Sequence, residues 1–256
     1  METVSLYKKK YHVELRDVDF TKKLKLSTLF GYFQDIASEA VDNLGIGIEI
    51  LERKYGLAWI LMRIRVEIIR YPEWNEEIII ETWAQQPKKL EFERDFIVRD
   101  LKGNVIIRAI STWIIVDIKT KKVRKSELIA IEYPEIIRER AIDCKLGKLK
   151  PFGQPIIAYR KVIGYSDVDF NGHLNNSRYV DFIMDCFSME NHKVYEIKGI
   201  EVNYVNEALP GDTLILYKDA SALSSNLVYL EGVREKDDKL VFKAEVEIKE
   251  REKAFL

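Results

Sequence analysis

Cysteine, proline and histidine are all scarce in this chain, at two, six and three residues among 256. Cys144 and Cys186 stand far apart with no CxxC pair and no zinc-ligand spacing, so a disulfide scaffold is not expected, and reduced thiols in the cytoplasm are. His12, His173 and His192 include no pair at ligand spacing, and no dinucleotide-binding or phosphate-cradling glycine motif occurs, so neither a metal nor a cofactor is expected. Net charge is nearly absent too: 41 Lys+Arg against 42 Asp+Glu leave a formal charge of -1. The molecule as a whole has no electrostatic attraction for nucleic acid or anionic membrane, and any basic patch is local. Long apolar runs are missing. "LAWILM" at 57 to 62 falls far short of the roughly 20 residues that span a bilayer, and "METVSLYKKKYHVEL" has no apolar core of a secretory signal.

What the chain does have is enough apolar material, 47% of residues, for one large core or two ordinary ones. It also repeats itself. "DVDF" occurs at Asp17 to Phe20 and again at Asp167 to Phe170, 150 residues later. After the first copy, apolar residues from Leu26 through Phe30, Phe33, Ile36 and Ala40 to Leu44 recur every three or four positions and stop at Gly45, which predicts a long helix with a wide apolar face. After the second copy Tyr179, Phe182, Ile183, Cys186 and Phe187 do the same, with Asn175 or Asn176 placed to cap the helix. Runs rich in β-branched and aromatic residues follow each helix, joined by turns such as Lys102-Gly103-Asn104 and "EKDDK" at 235 to 239. Each half therefore reads as a short strand, a helix and a run of antiparallel strands. The predicted class is α+β, with a long helix packed on an antiparallel sheet in each of two domains, 1–132 and 156–256. Between them residues 133–155 hold three of the six prolines without a clear period and read as a linker.

The segment "YSDVDFNGHLNNSRYVDF" at 165 to 182 gathers the chemistry. If 167 to 175 run extended, Asp167, Asp169, Asn171, His173 and Asn175 share one face. Gly172 would let the backbone approach a ligand, and the helix that follows would offer unpartnered amides to a developing oxyanion. A plainer reading has Asp and Asn capping and turning the chain, with His173 a satisfied core residue. The first half separates the two. There Thr21, Lys22 and Lys23 stand where Asn171, Gly172 and His173 do, with "DVDF" and the helix pattern retained. The helix entry does not need Asn, Gly and His.

The string "DVDFNGHLNNSRYVDFIMD" resembles the DxDxNxHxNNxxY segment of the acyl-acyl carrier protein (acyl-ACP) thioesterases of plant plastids and bacteria, and the strand segments on either side resemble that family in order over nearly the whole chain. The resemblance implies tandem hot-dog domains and hydrolysis of acyl-ACP to free fatty acid and holo-carrier protein in fatty acid biosynthesis. It places catalytic residues at Asp169, Asn171, His173 and, on a later strand, Glu207. Where plant members often carry a cysteine after that Glu, this chain has Ala208, so a Cys-His mechanism is not available there. In the expected mechanism His173 and Glu207 deprotonate water, their proton affinity tuned by burial and mutual contact. Asn171 orients the water or the carbonyl, and Asp169 holds the loop, with direct carboxylate attack as the alternative. Amides from Asn176, Ser177 and Arg178 to Tyr179 stabilise the oxyanion. The first domain, lacking the polar set, is expected to bind the acyl chain, with Phe30, Phe33, Trp59 and Met62 as candidate lining.

Lys88, Lys89, Arg160 and the stretch "KTKKVRK" at 119 to 125 are either a solvated surface or a landing area for the acidic carrier protein. Three rivals remain open at this stage: hydrolysis of acyl-CoA, a double hot-dog dehydratase, and a non-catalytic acyl-binding protein. Either a monomer or a homodimer fits tandem domains.

Overall fold

The structure, a computed structural model, describes residues 3–129 and 134–251. The chain divides into two compact units, the first formed by 1–24 and 32–146, the second by 25–31 and 147–256. In the first half of the chain β1 (Tyr7–His12) precedes helix α1 (Leu26–Asn43), of which residues 32–43 belong to the first unit, and a single turn α2 (Ile48–Ile50), followed by β2 (Leu57–Ile68), β3 (Glu77–Ala84), β4 (Phe92–Asp100), β5 (Val105–Asp117) and the short β6 (Val123–Arg124). In the second, β7 (Ile156–Val162) precedes α3 (Asn176–Met184) and α4 (Met189–Val194), followed by β8 (Tyr195–Tyr204), β9 (Thr213–Asp219), β10 (Leu227–Arg234) and β11 (Lys239–Glu250).

The strand order is β1-β3-β4-β5-β2 in the first unit and β7-β9-β10-β11-β8 in the second, with neighbouring strands antiparallel within each unit. These are one topology twice over, the five strands of each order matching one for one, while the short β6 that pairs with β5 belongs to the first unit alone. Each unit is a hot-dog fold. The helix stripe forms because burying large apolar side chains is worth about 1.5–3 kcal/mol apiece. Leu29, Phe33, Ile36 and Ala40 of α1 are all buried, and the Phe33 ring lies 4.7 Å from that of Phe96 on β4. In α3 the shorter stripe is Tyr179, Val180, Phe182 and Ile183. Tyr179 meets Tyr204 of β8 and Phe242 of β11 edge-on, with ring centroids 5.2 and 5.4 Å away. The predicted turns form where expected, with Gly103 and Asp238 at positive φ.

The segment read as a linker, 133–155, is docked like a strap; its first residue, Tyr133, lies outside the described residues. Residues 134–146 belong to the first unit, where Ala141, Ile142 and Leu146 form a buried cluster with Trp83 and Ile110. Trp83 Nε1 donates to the Glu139 carbonyl (3.0 Å), and Arg140 pairs with Glu93 and Asp95, each at 3.1 Å. Asp95 is fully buried and also accepts the Ala141 N–H at 2.7 Å; burial still pushes its carboxyl above the usual range, against the pull of Ala141 and Arg140. In the second unit, Asn203 Oδ1 accepts the Leu149 N–H (3.3 Å) and Asp219 the Gly153 N–H (2.5 Å). Prolines and single apolar anchors leave no period to read, because the segment docks through individual contacts rather than through a regular element. Replacing Asp95 with Ala leaves the buried Ala141 N–H without its acceptor and removes one of the two partners of Arg140, which should cost about 2–3 kcal/mol, lowering Tm by roughly 5–10 °C. Limited proteolysis should then cut first within 134–146; an unchanged Tm would show that the strap carries no stability.

Candidate active site

Residues 167 to 175 do not run extended. A 3-10 turn occupies Tyr165–Asp167, and 169 to 173 close a tight loop in which the Asp169 N–H donates to the His173 carbonyl (2.9 Å) and the Gly172 N–H to the Asp169 carbonyl (3.0 Å). Asp169 Oδ1 accepts the amides of Asn171 (2.8 Å) and His173 (3.4 Å), an Asx turn that competes successfully with strand formation. The five polar groups therefore do not share a strand face. Asp167 is buried, accepting the Gly164 N–H at 2.9 Å and pairing with Lys161 at 3.3 Å, so its role is to brace the turn. Asn175 is the helix cap, its Oδ1 accepting the Ser177 N–H at 2.8 Å. Asn171 is exposed at the loop tip, and Gly172 takes a φ of 78°, the left-handed region that glycine enters freely.

Glu207 lies past the end of β8, in the connection to β9, rather than on a strand. The loop and this connection are laced together by the Leu174 N–H donating to the carbonyl of the buried Ala208, 3.0 Å away. That link brings His173 Nε2 to 3.6 Å from Glu207 Oε2. The pair is not sealed from water, since the side chains are 32% and 51% exposed. Arg234 Nη1 donates to the Glu207 carbonyl at 3.2 Å and is itself gripped by Asp237, fixing the backbone from which the carboxylate projects.

The first unit builds the same loop. The Asp19 N–H donates to the Lys23 carbonyl (2.9 Å), the Lys22 N–H to that of Asp19 (3.0 Å), and the Leu24 N–H to that of Pro72 (2.9 Å). Asp19 Oδ1 accepts the Thr21 N–H at 2.7 Å, and Lys22 takes a φ of 61° where Gly172 stands in the second unit. Pro72 is thus the counterpart of Ala208, and Tyr71 of Glu207. Where the second unit sets an imidazole beside a carboxylate, the first sets Lys23 Nζ 5.8 Å from the Tyr71 ring.

Of the amides assigned to an oxyanion, two are already engaged: Ser177 N–H by Asn175 Oδ1 and Arg178 N–H by the Asn175 carbonyl, 2.9 Å away. The Arg178 side chain is exposed and pairs with Asp181 at 2.9 Å. The four candidate acyl-binding residues are not one cluster. Phe30 and Phe33 are buried on the α1 stripe, whereas Trp59 packs edge-on to Phe92 (4.8 Å) and donates to the Ile46 carbonyl (3.1 Å). Met62 is half-buried where the β2–β5 register shifts. A small, partly open pocket in the first unit is lined instead by Tyr7, Ala40, Leu44, Thr82, Ala84 and Arg94 among others.

The basic residues split similarly. Ser126 hydrogen-bonds the carbonyls of Lys88 and Lys89, setting them beside exposed Lys125, while Lys88 pairs with Glu93 and Arg160 of the second unit with Glu235. Among the described residues no group of His, Cys, Asp and Glu gathers that could hold a metal ion, and no helix is long and apolar enough to cross a membrane. Both cysteines are free thiols. Cys186 is buried, its thiol pushed up to about 12 by burial, whereas Cys144 is exposed. A thiol reagent should therefore modify Cys144 alone in the folded protein, with Cys186 reacting only after denaturation; two fast-reacting thiols would contradict this placement.

Residues 4–132 match the acyl-ACP thioesterase N-terminal domain, and residues 158–254 the acyl-ACP thioesterase C-terminal domain. Oleoyl-acyl carrier protein thioesterase 2, chloroplastic, of Arabidopsis thaliana is 27% identical over 230 residues, which are 83% of this chain and 62% of that protein. The corresponding thioesterase of Coriandrum sativum is 26% identical over 226 residues, 81% of this chain and 61% of its own length. The chain thus spans less than two thirds of these plant relatives. Among solved structures, an acyl-ACP thioesterase from Bacteroides thetaiotaomicron is 26% identical with a TM-score of 0.86, the match covering 96% of this chain and 98% of that one. A 12:0-ACP thioesterase from Umbellularia californica, 18% identical, shares the fold with a TM-score of 0.83 over 97% of this chain and 98% of its own. With both domain matches in order along a doubled hot-dog fold, this chain belongs to the acyl-ACP thioesterase family.

Proposed function

We propose that this chain hydrolyses acyl-ACP thioesters, releasing free fatty acid and holo-carrier protein in fatty acid biosynthesis. The observation that carries the reading is the His173–Glu207 pair, 3.6 Å apart, mounted on a loop that the first unit reproduces with Lys23 and Tyr71 in its place. The fold does not require these two side chains, so their presence answers to chemistry. In the reaction a water held near the pair loses a proton to it as the oxygen attacks the thioester carbon. The C–S bond then breaks and the departing thiolate takes the proton back. Asn171, at the exposed tip, orients the water or the carbonyl. Asp169 is a positioning residue, because Oδ1 is committed to two loop amides, which supports water rather than a carboxylate as the nucleophile.

The first unit, with the apolar helix stripe but not the acid-base pair, is assigned to the acyl chain. Phe30, Phe33, Trp59 and Met62 remain its proposed lining residues. The acyl carrier protein is the proposed partner, and the neighbouring Lys88, Lys89 and Lys125 support an acidic one. Two cysteines outside any disulfide support a reducing compartment such as the cytoplasm.

Thiol release from matched acyl-ACP and acyl-CoA panels tests both the reaction and its handle. His173→Ala and Glu207→Gln should each lower kcat by about 10²- to 10⁴-fold, with Tm shifts corresponding to no more than about 0.5 kcal/mol because both sites are partly exposed. Turnover that survives both substitutions would remove the pair from the mechanism, and preference for acyl-CoA would replace the proposed substrate.

A further inference from the structure

The equivalence of the two loops extends into the helices that follow. Lys25 and Asn175 hold matching positions, the carbonyl of each accepting an amide of the first helical turn: Leu29 N–H to Lys25 (3.1 Å) and Arg178 N–H to Asn175 (2.9 Å). Counting on from Leu24 and Leu174, Leu29 of α1 corresponds to Tyr179 of α3. Both are buried, at 1% and 4% exposure, so the slot itself asks only for hydrocarbon. The hydroxyl in the second unit is an addition, made in the same unit that exchanges Lys23 for His173 and Tyr71 for Glu207.

That hydroxyl has no hydrogen-bond partner among the described residues, whereas no described buried side-chain nitrogen or oxygen is left unpaired. The phenol oxygen is therefore not wholly enclosed, although the residue is buried. The ring is held against rotation by Tyr204 and Phe242 on two sides. Tyr204 in turn donates to the carbonyl of Asn176, the first residue of α3, at 3.0 Å. Phe242 lies over Gly232 so closely that a Cβ there would come within 2.2 Å of the ring, so β10 is bare at the point where the clamp forms. Burial first, and then the carboxylates of Glu207 and Asp169, push the Tyr179 phenol further up in pKa, so it stays protonated and can only donate toward an anion. Meanwhile the Ser177 and Arg178 amides are engaged by Asn175, which leaves the helix end short of donors for an oxyanion.

The geometry points to Tyr179 as a further catalytic residue, whose phenolic O–H donates a hydrogen bond to the thioester carbonyl oxygen as that oxygen becomes negative. This rests on the proposed thioester hydrolysis at the same site. Water oxygen forms the new C–O bond, its proton goes to the His173–Glu207 pair, and the carbonyl electrons move to the oxygen that Tyr179 and the Asn176 amide hold. Collapse restores the carbonyl, expels the thiolate and returns the proton to sulfur. Tyr179 keeps its own proton throughout.

Tyr179→Phe preserves the ring, its two aromatic contacts and the core. On acyl-ACP it should lower kcat by about 100-fold, with KM and Tm little changed. It should also weaken binding of a pantetheine trifluoromethyl ketone, which forms a tetrahedral adduct, while leaving a thioether analogue that has no carbonyl oxygen unaffected. Activity of Tyr179→Phe within twofold of wild type, or equal loss of affinity for both analogues, would overturn the assignment. His173→Ala run in parallel separates the two levels. If His173→Ala is inactive and Tyr179→Phe is not, the tyrosine assignment fails and the hydrolase reading stands; if neither substitution matters, the hydrolase reading fails.

Discussion

A single carboxylate oxygen organises this site. By accepting two successive-but-one backbone amides, Asp169 Oδ1 folds the chain back on itself before the helix begins, and every other placement follows from that reversal. The loop closes at His173, the next residue is laced to Ala208, and the imidazole thereby arrives beside Glu207 from a connection more than thirty positions on. A carboxylate that accepts backbone N–H groups makes charge-assisted bonds, roughly twice the strength of neutral ones. The first unit shows that the device belongs to the fold, for Asp19 closes the same loop without an imidazole or a carboxylate in the places of His173 and Glu207.

Duplication allows structural and chemical demands to be told apart without any second protein. Positions alike in both units, such as the Asp of the loop, the apolar helix stripe and the strand order, answer to packing. Those that differ answer to something else. Lys23, Tyr71 and Leu29 against His173, Glu207 and Tyr179 are three substitutions, the first two of which replace a cation over a ring with an imidazole beside a carboxylate, while the third adds a hydroxyl to a buried hydrocarbon slot. Partial exposure of the pair suits the proposed hydrolysis, in which a tethered acyl thioester and a water have to reach it.

Most of the fold was legible because its signals are local and periodic. The α1 stripe ends at Asn43, two residues before Gly45, whose φ of 72° matches the expected helix stop. Strand runs and their turns were equally readable from residue type. What sequence did not convey was side-chain competition: alternating Asp and Asn look like one strand face, yet a short carboxylate that can reach its own backbone favours a turn. Glu207 likewise reads as strand, because nothing in "YVNEAL" marks where β8 ends at Tyr204. The strap of 134–155 has no period because Asp95, Trp83 and Asn203, distant in sequence, define its path. Tyr179 was visible as part of the helix stripe, and only its pairing with Leu29 across the repeat separates its hydroxyl from its ring.

In the proposed reaction water, activated by His173 and Glu207, attacks the thioester without a covalent enzyme intermediate. A single turnover of acyl-ACP in H₂¹⁸O, quenched at successive millisecond delays and weighed for both enzyme and product, tests it most directly. The account predicts one ¹⁸O in the released fatty acid and an enzyme mass that never changes. A transient gain equal to the acyl group, mapping to the peptide that carries Asp169 or Glu207, would contradict it.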